Sequence, residues 1–205
     1  LFRSTHLKPH VKGVHILGIS DVTFPDWSTV GADVRAKGLR ITQSCSSTLL
    51  SAANKASIFT LDLESFDPSD DGPFDDDFDF GLLDSLGPGL ARLYLPLYPS
   101  SSFILPFLQE CRVIRELHVP CPREDRDITW VLDNLPATVE ILTLTAVPEP
   151  FDHILATIPT LEHLRELRIS MAEESSGYGP LDAMRRRCSE LGVEFFLLDL
   201  NEWER

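Results

Sequence analysis

Cys111, His118 and Cys121 are the residues whose types come closest to a metal site in this sequence. A structural zinc site needs four ligands, commonly supplied by Cys-x-x-Cys pairs and nearby histidines. The two cysteines are not spaced as such a pair, and no fourth ligand follows at a zinc-like distance. We therefore expect no metal here, and we interpret Cys111 as a thiol that faces the core at a helix end.

Residues 64–84 form an acidic insertion that also contains phenylalanines. The insertion holds nine Asp and Glu residues and no Lys or Arg. A calcium loop that began at Asp67 would need a bidentate Glu where Phe78 stands, so we expect no calcium site. A solvated acidic loop is the simplest interpretation. Its phenylalanines either dock onto the rest of the fold, which we favour, or form an acidic-aromatic segment that binds a basic partner.

The sequence contains no recognisable catalytic constellation. It has no Gly-x-Ser-x-Gly elbow, no His-Glu-x-x-His pair and no glycine-rich phosphate loop. Asp152–His153 and Glu162–His163 are neighbours in sequence, and such neighbours do not face each other on a helix. We therefore predict that the protein is not an enzyme and that it uses no cofactor.

Composition and charge exclude several classes of function. The chain has 205 residues, of which 43% are hydrophobic, and this suits a globular domain with a sizeable core. No segment approaches the roughly 20 apolar residues of a membrane helix. The net charge of −14 disfavours nucleic acid and anionic membranes as partners, although only −5 of it (23 acids against 18 bases) lies outside the insertion.

The termini and the cysteines bear on where the protein resides. The four cysteines are too scattered for a disulfide framework, so we expect reduced thiols and a cytoplasmic or nuclear location. The chain begins at Leu1 without an initiator Met, and we expect it to be a fragment or a processed product.

A repeating hydrophobic pattern organises the chain. One apolar residue is followed by a second three positions later and by a third two positions after that. The middle residues of these triplets are Leu17, Leu61, Leu93, Leu117, Leu142, Leu167 and Phe196. Most gaps lie within or close to the 20–29 residues of leucine-rich repeats. The gap after Leu17 fits if Ala36, Leu39 and Ile41 are a degenerate copy. The alternative for residues 21–55 is a pair of helices in place of a repeat.

Short amphipathic stretches precede the later strands, at residues 103–110, 128–134, 151–158 and 181–191. Pro150 and Pro180 are typical helix-start signals. Strands joined by helices at this pitch are expected to stack in parallel and with right-handed connections. The predicted fold class is α/β: an irregular leucine-rich-repeat solenoid in one domain, residues 1–205, with a parallel sheet on the concave side and short helices on the convex side. The alternative is a doubly wound α/β domain, whose strands are normally longer and richer in Val and Ile.

Three strand segments carry a resemblance to a known family: Ile114–Val119, Val139–Leu144 and Leu164–Ile169. They resemble the irregular leucine-rich repeats of fungal (basidiomycete) F-box-type proteins, and His6–Ile16 is similar to the linker and first strand that follow an F-box there. Two features depart from the pattern. The F-box would lie upstream of Leu1, and the asparagine of regular repeats is replaced by Phe66, Tyr98, Pro122, Val147 and Ala172. The resemblance implies that an upstream F-box docks to a ubiquitin ligase scaffold while these repeats hold a target protein.

The concave face is where such repeats bind their partners. Strand residues that alternate with the buried ones point outward. We predict a partner-binding face made of Arg92, Tyr94, Glu116, His118, Thr143 and Arg168, with Leu197 as the outward residue of the last strand. Tyr and Arg are common interface anchors, but any polar solenoid face would carry some by chance.

The nearly all-apolar segment Val193–Leu200 ends the repeat array. An open solenoid end needs a cap. We expect either the tail through Trp203 to cover this segment or a partner, including a second copy of the chain, to pack there. The leading hypothesis is a protein–protein interaction module that recruits substrates for an F-box-type ubiquitin ligase. The alternative is a non-catalytic structural subunit of a larger complex, held through this edge.

Overall fold

The computed structural model describes residues 16–19, 38–41, 58–63, 86–95, 101–121, 129–147, 151–171 and 179–198. The acidic insertion at residues 64–84, with the calcium hypothesis at Asp67, lies outside these described residues. The chain forms two compact units, unit 1 over Leu1–Val113 and unit 2 over Ile114–Arg205.

Unit 1 contains four short parallel strands in chain order: β1 (Ile16–Ile19), β2 (Gly38–Ile41), β3 (Thr60–Asp62) and β4 (Arg92–Tyr94). A 3₁₀ turn, Gly87–Gly89, leads into β4, and helix α1 (Ser101–Glu110) follows it. The turn packs closely on α1, because a Cβ added to Gly87 would lie 3.1 Å from the Cβ of Glu110.

Unit 2 alternates strands and helices more regularly. Its elements are β5 (Glu116–Pro120), α2 (Thr129–Leu132), β6 (Ile141–Val147), α3 (Asp152–Thr157), β7 (Glu166–Met171), α4 (Gly179–Leu191) and β8 (Glu194–Leu197). The four strands are parallel and pair in chain order. Helices α1 to α4 fall on the four amphipathic stretches, so the prediction of an α/β fold with a parallel sheet is confirmed.

β2 decides between the two interpretations of residues 21–55. Leu39 pairs with Leu17 of β1 and with Leu61 of β3, which places all three in one register. The degenerate copy centred on Leu39 is therefore a strand. Its signature is weak because Ala36 is small and Gly38 opens the strand.

The hydrophobic triplets form the core. All fifteen side chains of the triplets centred on Leu61, Leu93, Leu117, Leu142 and Leu167 are at most 6% exposed. Each fully buried side chain of this size contributes about 1.5–3 kcal/mol. Because the side-chain period of a strand is two, burying the middle and last residue of each triplet sends the residues on either side of the middle one to the opposite face.

Shared backbone carbonyls fix the start of successive strands. The Phe59 oxygen accepts the N–H groups of Ala91 and Arg92 at 2.9 and 3.0 Å. In unit 2 the Arg115 oxygen accepts the next strand's two entering N–H groups, both at 2.8 Å, and the Glu140 oxygen does the same at 2.8 and 3.1 Å. These hydrogen bonds provide acceptors for backbone N–H groups that would otherwise have none where the turn meets the sheet.

The register of β8 corrects the predicted triplet Val193, Phe196 and Leu198. Phe195, not Phe196, pairs with the buried Leu167, and Phe196 pairs with Arg168. The cause is the end of α4: the N–H of Gly192 bonds the Ser189 oxygen at 3.2 Å and the N–H of Val193 bonds the Cys188 oxygen at 2.9 Å. This pair of bonds is a Schellman motif, and it brings the chain into the strand one residue early. Leu197, predicted to face outward on the concave side, therefore lies on the same face as Phe195.

Among the described residues no helix has the length and apolar character to cross a membrane.

Gly192 provides a test of the Schellman turn. Its φ of +72° lies in the left-handed region, so Gly192→Ala should lower the free energy of unfolding by about 1 kcal/mol. Gly89→Ala is the matched control, because an added Cβ meets nothing within 4 Å at either position and only Gly192 has a positive φ. Urea unfolding measures both variants. An equal loss in the two would contradict the assigned role of Gly192.

Candidate protein-binding face

The outer face of unit 2 is the side of the sheet opposite the buried leucines. Two rows of side chains cross it, one residue from each strand, with neighbouring strands about 4.8 Å apart. The first row is Glu116, Ile141, Glu166 and Glu194, and the second row is His118, Thr143, Arg168 and Phe196. Unit 2 therefore brings together four of the six predicted site residues.

The corresponding face of unit 1 carries the other two. Arg92 lies at the end of the row Ile16, Gly38, Thr60 and Arg92, and Tyr94 at the end of the row Gly18, Arg40, Asp62 and Tyr94. Arg92 is exposed and Tyr94 is half-buried. Both lie on β4, as the alternation predicts.

Burial divides the second row of unit 2. His118 is 1% exposed and Thr143 is 2% exposed, whereas Phe196 is 42% exposed. The expectation that His118 and Thr143 face solvent is therefore corrected: they lie in the predicted row but offer no surface to a partner. The accessible part of the outer face, which we call the accessible strip, consists of the first row together with Arg168 and Phe196.

One buried polar residue of the second row has a side-chain contact with the neighbouring strand. The Nε2 atom of His118 lies 3.2 Å from the hydroxyl of Thr145, a residue of the neighbouring strand β6. Buried polar side chains are stable only when they are bonded in this way. This contact ties β5 to β6 beneath the surface and fixes the orientation of the ring.

A β-bulge interrupts the pairing of β6 with β7 close to these residues. The register shifts between Leu144 and Val147, and Ala146 adopts a φ of 54°. A left-handed conformation costs a non-glycine residue roughly 1–2 kcal/mol. The N–H of Ala146 donates to the hydroxyl of the fully buried Ser170 at 3.0 Å, and this bond replaces the lost ladder contact. The extra residue returns Val147 to the core.

Electrostatics make the accessible strip acidic. The guanidinium of Arg168 donates to one carboxylate oxygen of Glu166 at 2.6 and 3.1 Å, so these two charges largely offset each other. Glu116 and Glu194 add two further carboxylates in the first row. Ile141 and Phe196 supply apolar surface between and beside the charged groups.

A second group of charges lies where the strands begin. Glu140 is 3.5 Å from Arg115 and 3.7 Å from Arg165, each distance joining a guanidinium nitrogen to a carboxylate oxygen. The two arginines are largely exposed, so each pair contributes at most about 1 kcal/mol. Arg115, Glu140 and Arg165 each directly precede a strand, so each ion pair connects the starts of two neighbouring strands.

In unit 1 an ion pair joins two neighbouring strands within the face itself. The Nε atom of Arg40 on β2 lies 2.6 Å from a carboxylate oxygen of Asp62 on β3. The pair occupies the row that ends at Tyr94, so the face of unit 1 combines an aromatic ring with fixed charges.

Burial restricts the chemistry of the described cysteines and of His118. The described residues contain no group of three or more His, Cys, Asp or Glu side chains that could hold a metal ion. Burial raises the pKa of Cys121 to about 12 and also raises that of Cys188, so both thiols stay protonated and unreactive at neutral pH. The ring of His118 is enclosed, and a substrate could not reach it.

Comparison with known proteins adds no assignment. No protein-family model matches the chain, and no curated protein matches it. Any functional conclusion therefore rests on the geometry of the two faces.

Sequence reasoning missed three residues of these faces: Arg40, Glu194 and Phe196. Arg40 was not recognised because the strand around Leu39 has a weak hydrophobic signature. Phe196 was assigned to the core because the Schellman turn at Gly192 shifts β8 by one residue. A glycine directly before an apolar strand was the available signal for that shift.

Ser170 tests whether the bulge depends on its hydroxyl. Ser170→Ala leaves the part-buried N–H of Ala146 without this acceptor, so the free energy of unfolding should fall by about 1 kcal/mol. Ser189→Ala on the exposed side of α4 is the control and should change stability little. Urea or thermal unfolding measures the difference. Equal stability of the two variants would show that the hydroxyl does not support the bulge.

Proposed function

We propose that this chain is a non-catalytic protein-binding module that holds a partner on the outer face of its parallel strands. The observation that carries the proposal is the accessible strip of unit 2, in which Glu166, Arg168 and Phe196 lie side by side on neighbouring strands. Aromatic and arginine side chains are the commonest anchors of protein interfaces.

The strip is held rigid from below. Leu142 and Leu167, the core residues between its two rows on the central strands, are at most 1% exposed. The buried contact of His118 with Thr145 and the bulge at Ala146 fix the strands beside it. A face that is already ordered loses little conformational entropy when a partner binds, and this favours affinity.

The charge of the accessible strip indicates which side chains a partner should carry. Glu116, Glu166 and Glu194 present carboxylates along one row, while Arg168 is already engaged by Glu166. A partner segment with Lys or Arg side chains, and with one apolar side chain to cover Phe196, complements this surface. A strongly acidic segment would meet repulsion along the same row.

The spacing of the strands supports a leucine-rich-repeat architecture for this module. The register-equivalent strand positions Leu17, Leu39, Leu61 and Leu93 follow one another at 22, 22 and 32 residues. In unit 2 the equivalents Leu117, Leu142, Leu167 and Phe195 follow at 25, 25 and 28 residues. All but one of these intervals fall in the 20–29 residue range of such repeats.

The resemblance to fungal F-box-type proteins makes this proposal specific. The module would be the substrate-recruiting part of a ubiquitin ligase adaptor, and the bound partner would be the protein to be ubiquitinated. Ligase docking would then belong to a different segment of the full-length product.

Neutralising the first row tests the binding face. The double variant Glu116→Gln, Glu166→Gln keeps the side-chain shapes and removes two charges, so capture of the partner should weaken about tenfold or more. Glu162→Gln, exposed on a turn of unit 2, is the matched control. Quantitative mass spectrometry of proteins retained by each variant from a source extract gives the ratio. Unchanged retention by the double variant would overturn the proposed face.

A comparison of two lengths of the protein tests the F-box hypothesis separately. The full-length product should retain both the target and a ubiquitin ligase scaffold subunit, whereas these 205 residues should retain the target alone. Retention of the target without any scaffold by the full-length product would refute the adaptor role and leave the binding face in place.

A further inference from the structure

β8 leaves one edge of its backbone without a strand neighbour among the described residues. The N–H of Glu194 bonds the Arg165 oxygen at 2.8 Å, and the N–H of Leu198 bonds the Ile169 oxygen at 2.7 Å. Backbone groups of alternate residues in a strand point to opposite edges. Glu194, Phe196 and Leu198 therefore face β7, while the N–H and C=O groups of Phe195 and Leu197 point away from it.

The side chains of β8 do not protect this edge. Phe196 is 42% exposed on the outer face and Leu197 is 46% exposed on the other face. Natural edge strands usually carry charged side chains, a proline or a bulge that prevents pairing. β8 has the sequence EFFL, in which Glu194 at the start is the one charged residue and no proline occurs.

We propose that β8 pairs with β8 of a second copy of this chain, antiparallel and centred on Phe196. In this register Phe195 of each copy lies opposite Leu197 of the other. Both residues direct their backbone groups outward, so each pair exchanges two hydrogen bonds. Phe196 then faces its own counterpart in a non-hydrogen-bonded pair, where the Cα atoms approach to about 4.5 Å.

The neighbouring registers fit less well. Centring the pair on Phe195 would require the N–H of Val193, which already bonds the Cys188 oxygen at 2.9 Å. Centring it on Leu197 would place Asp199 opposite Phe195, a carboxylate against an aromatic ring. Only the register centred on Phe196 uses both outward-facing residues of both copies.

Charge also favours a second copy in this register. Glu194 lies opposite Leu198 of the other copy, so the two Glu194 carboxylates start from positions four residues apart, roughly 14 Å along the strands. That separation exceeds the Debye length of about 8 Å at physiological salt, and the like charges repel only weakly. Phe195 meets Leu197 of the other copy on one face, and Phe196 meets its own counterpart on the other face. The contact therefore buries apolar side chains that are now exposed at the edge.

Disulfide trapping tests both the contact and its register, in a Cys45→Ser background in which the described native cysteines are buried. Phe196→Cys places two cysteines directly opposite, within the 4.4–6.8 Å Cα range of a disulfide. Leu197→Cys has similar exposure, but its two copies sit diagonally, roughly 8 Å apart. Under mild oxidation the first variant should form a covalent dimer at least tenfold faster than the second. Absence of cross-linking, or equal cross-linking of the two variants, overturns the proposal.

Sedimentation equilibrium supplies a second measurement on the unmodified chain. The apparent mass should rise towards twice that of the monomer as concentration increases. Leu197→Pro should abolish this rise, because it removes an outward N–H and leaves the bonds to β7 intact. The Glu116→Gln, Glu166→Gln variant should still self-associate, which separates this inference from the proposed partner site. A chain that stays monomeric at all concentrations refutes the pairing.

Discussion

Strand register is the constraint on which everything else in this protein depends. A slip of one residue in any strand would move its leucines to the outer face and its charged residues into the core. Leu117, Leu142 and Leu167 prevent this in unit 2, because all three are at most 1% exposed. The carbonyl groups of Arg115 and Glu140 each bind the first N–H groups of the next strand, so the position of one strand determines the register of the next. The composition of the accessible strip follows from that register.

Most of the fold could be predicted from the sequence, because the hydrophobic pattern that defines the strands repeats along the chain. The triplets around Leu61, Leu93, Leu117, Leu142 and Leu167 identify five strands, and the amphipathic stretches between them identify the helices. The pattern was insufficient where one backbone feature overrides it. Gly192 shortens the path into β8 by one residue, and the small Ala36 weakens the hydrophobic triplet that precedes and includes β2.

The binding face was harder to infer than the fold. Alternation places His118 and Arg168 in the same row, but it contains no information about which of them remains accessible. Burial of His118 depends on packing from beyond its own strand. The engagement of Arg168 by Glu166 is likewise invisible in sequence, because two residues at this spacing on a strand need not touch. Arg92, Tyr94 and Arg168 were therefore predicted as interface anchors, whereas the accessible strip of unit 2 carries more carboxylates than guanidinium groups.

The unequal strand intervals have a consequence for how strand pairing is specified. Leu61 and Leu93 are 32 residues apart yet pair in the same register as neighbours separated by 22. Loop-closure entropy grows only with the logarithm of length, so the added residues cost roughly 0.3 kcal/mol. The pairing of β3 with β4 is therefore specified by the residues of the strands themselves, and not by a fixed interval between them.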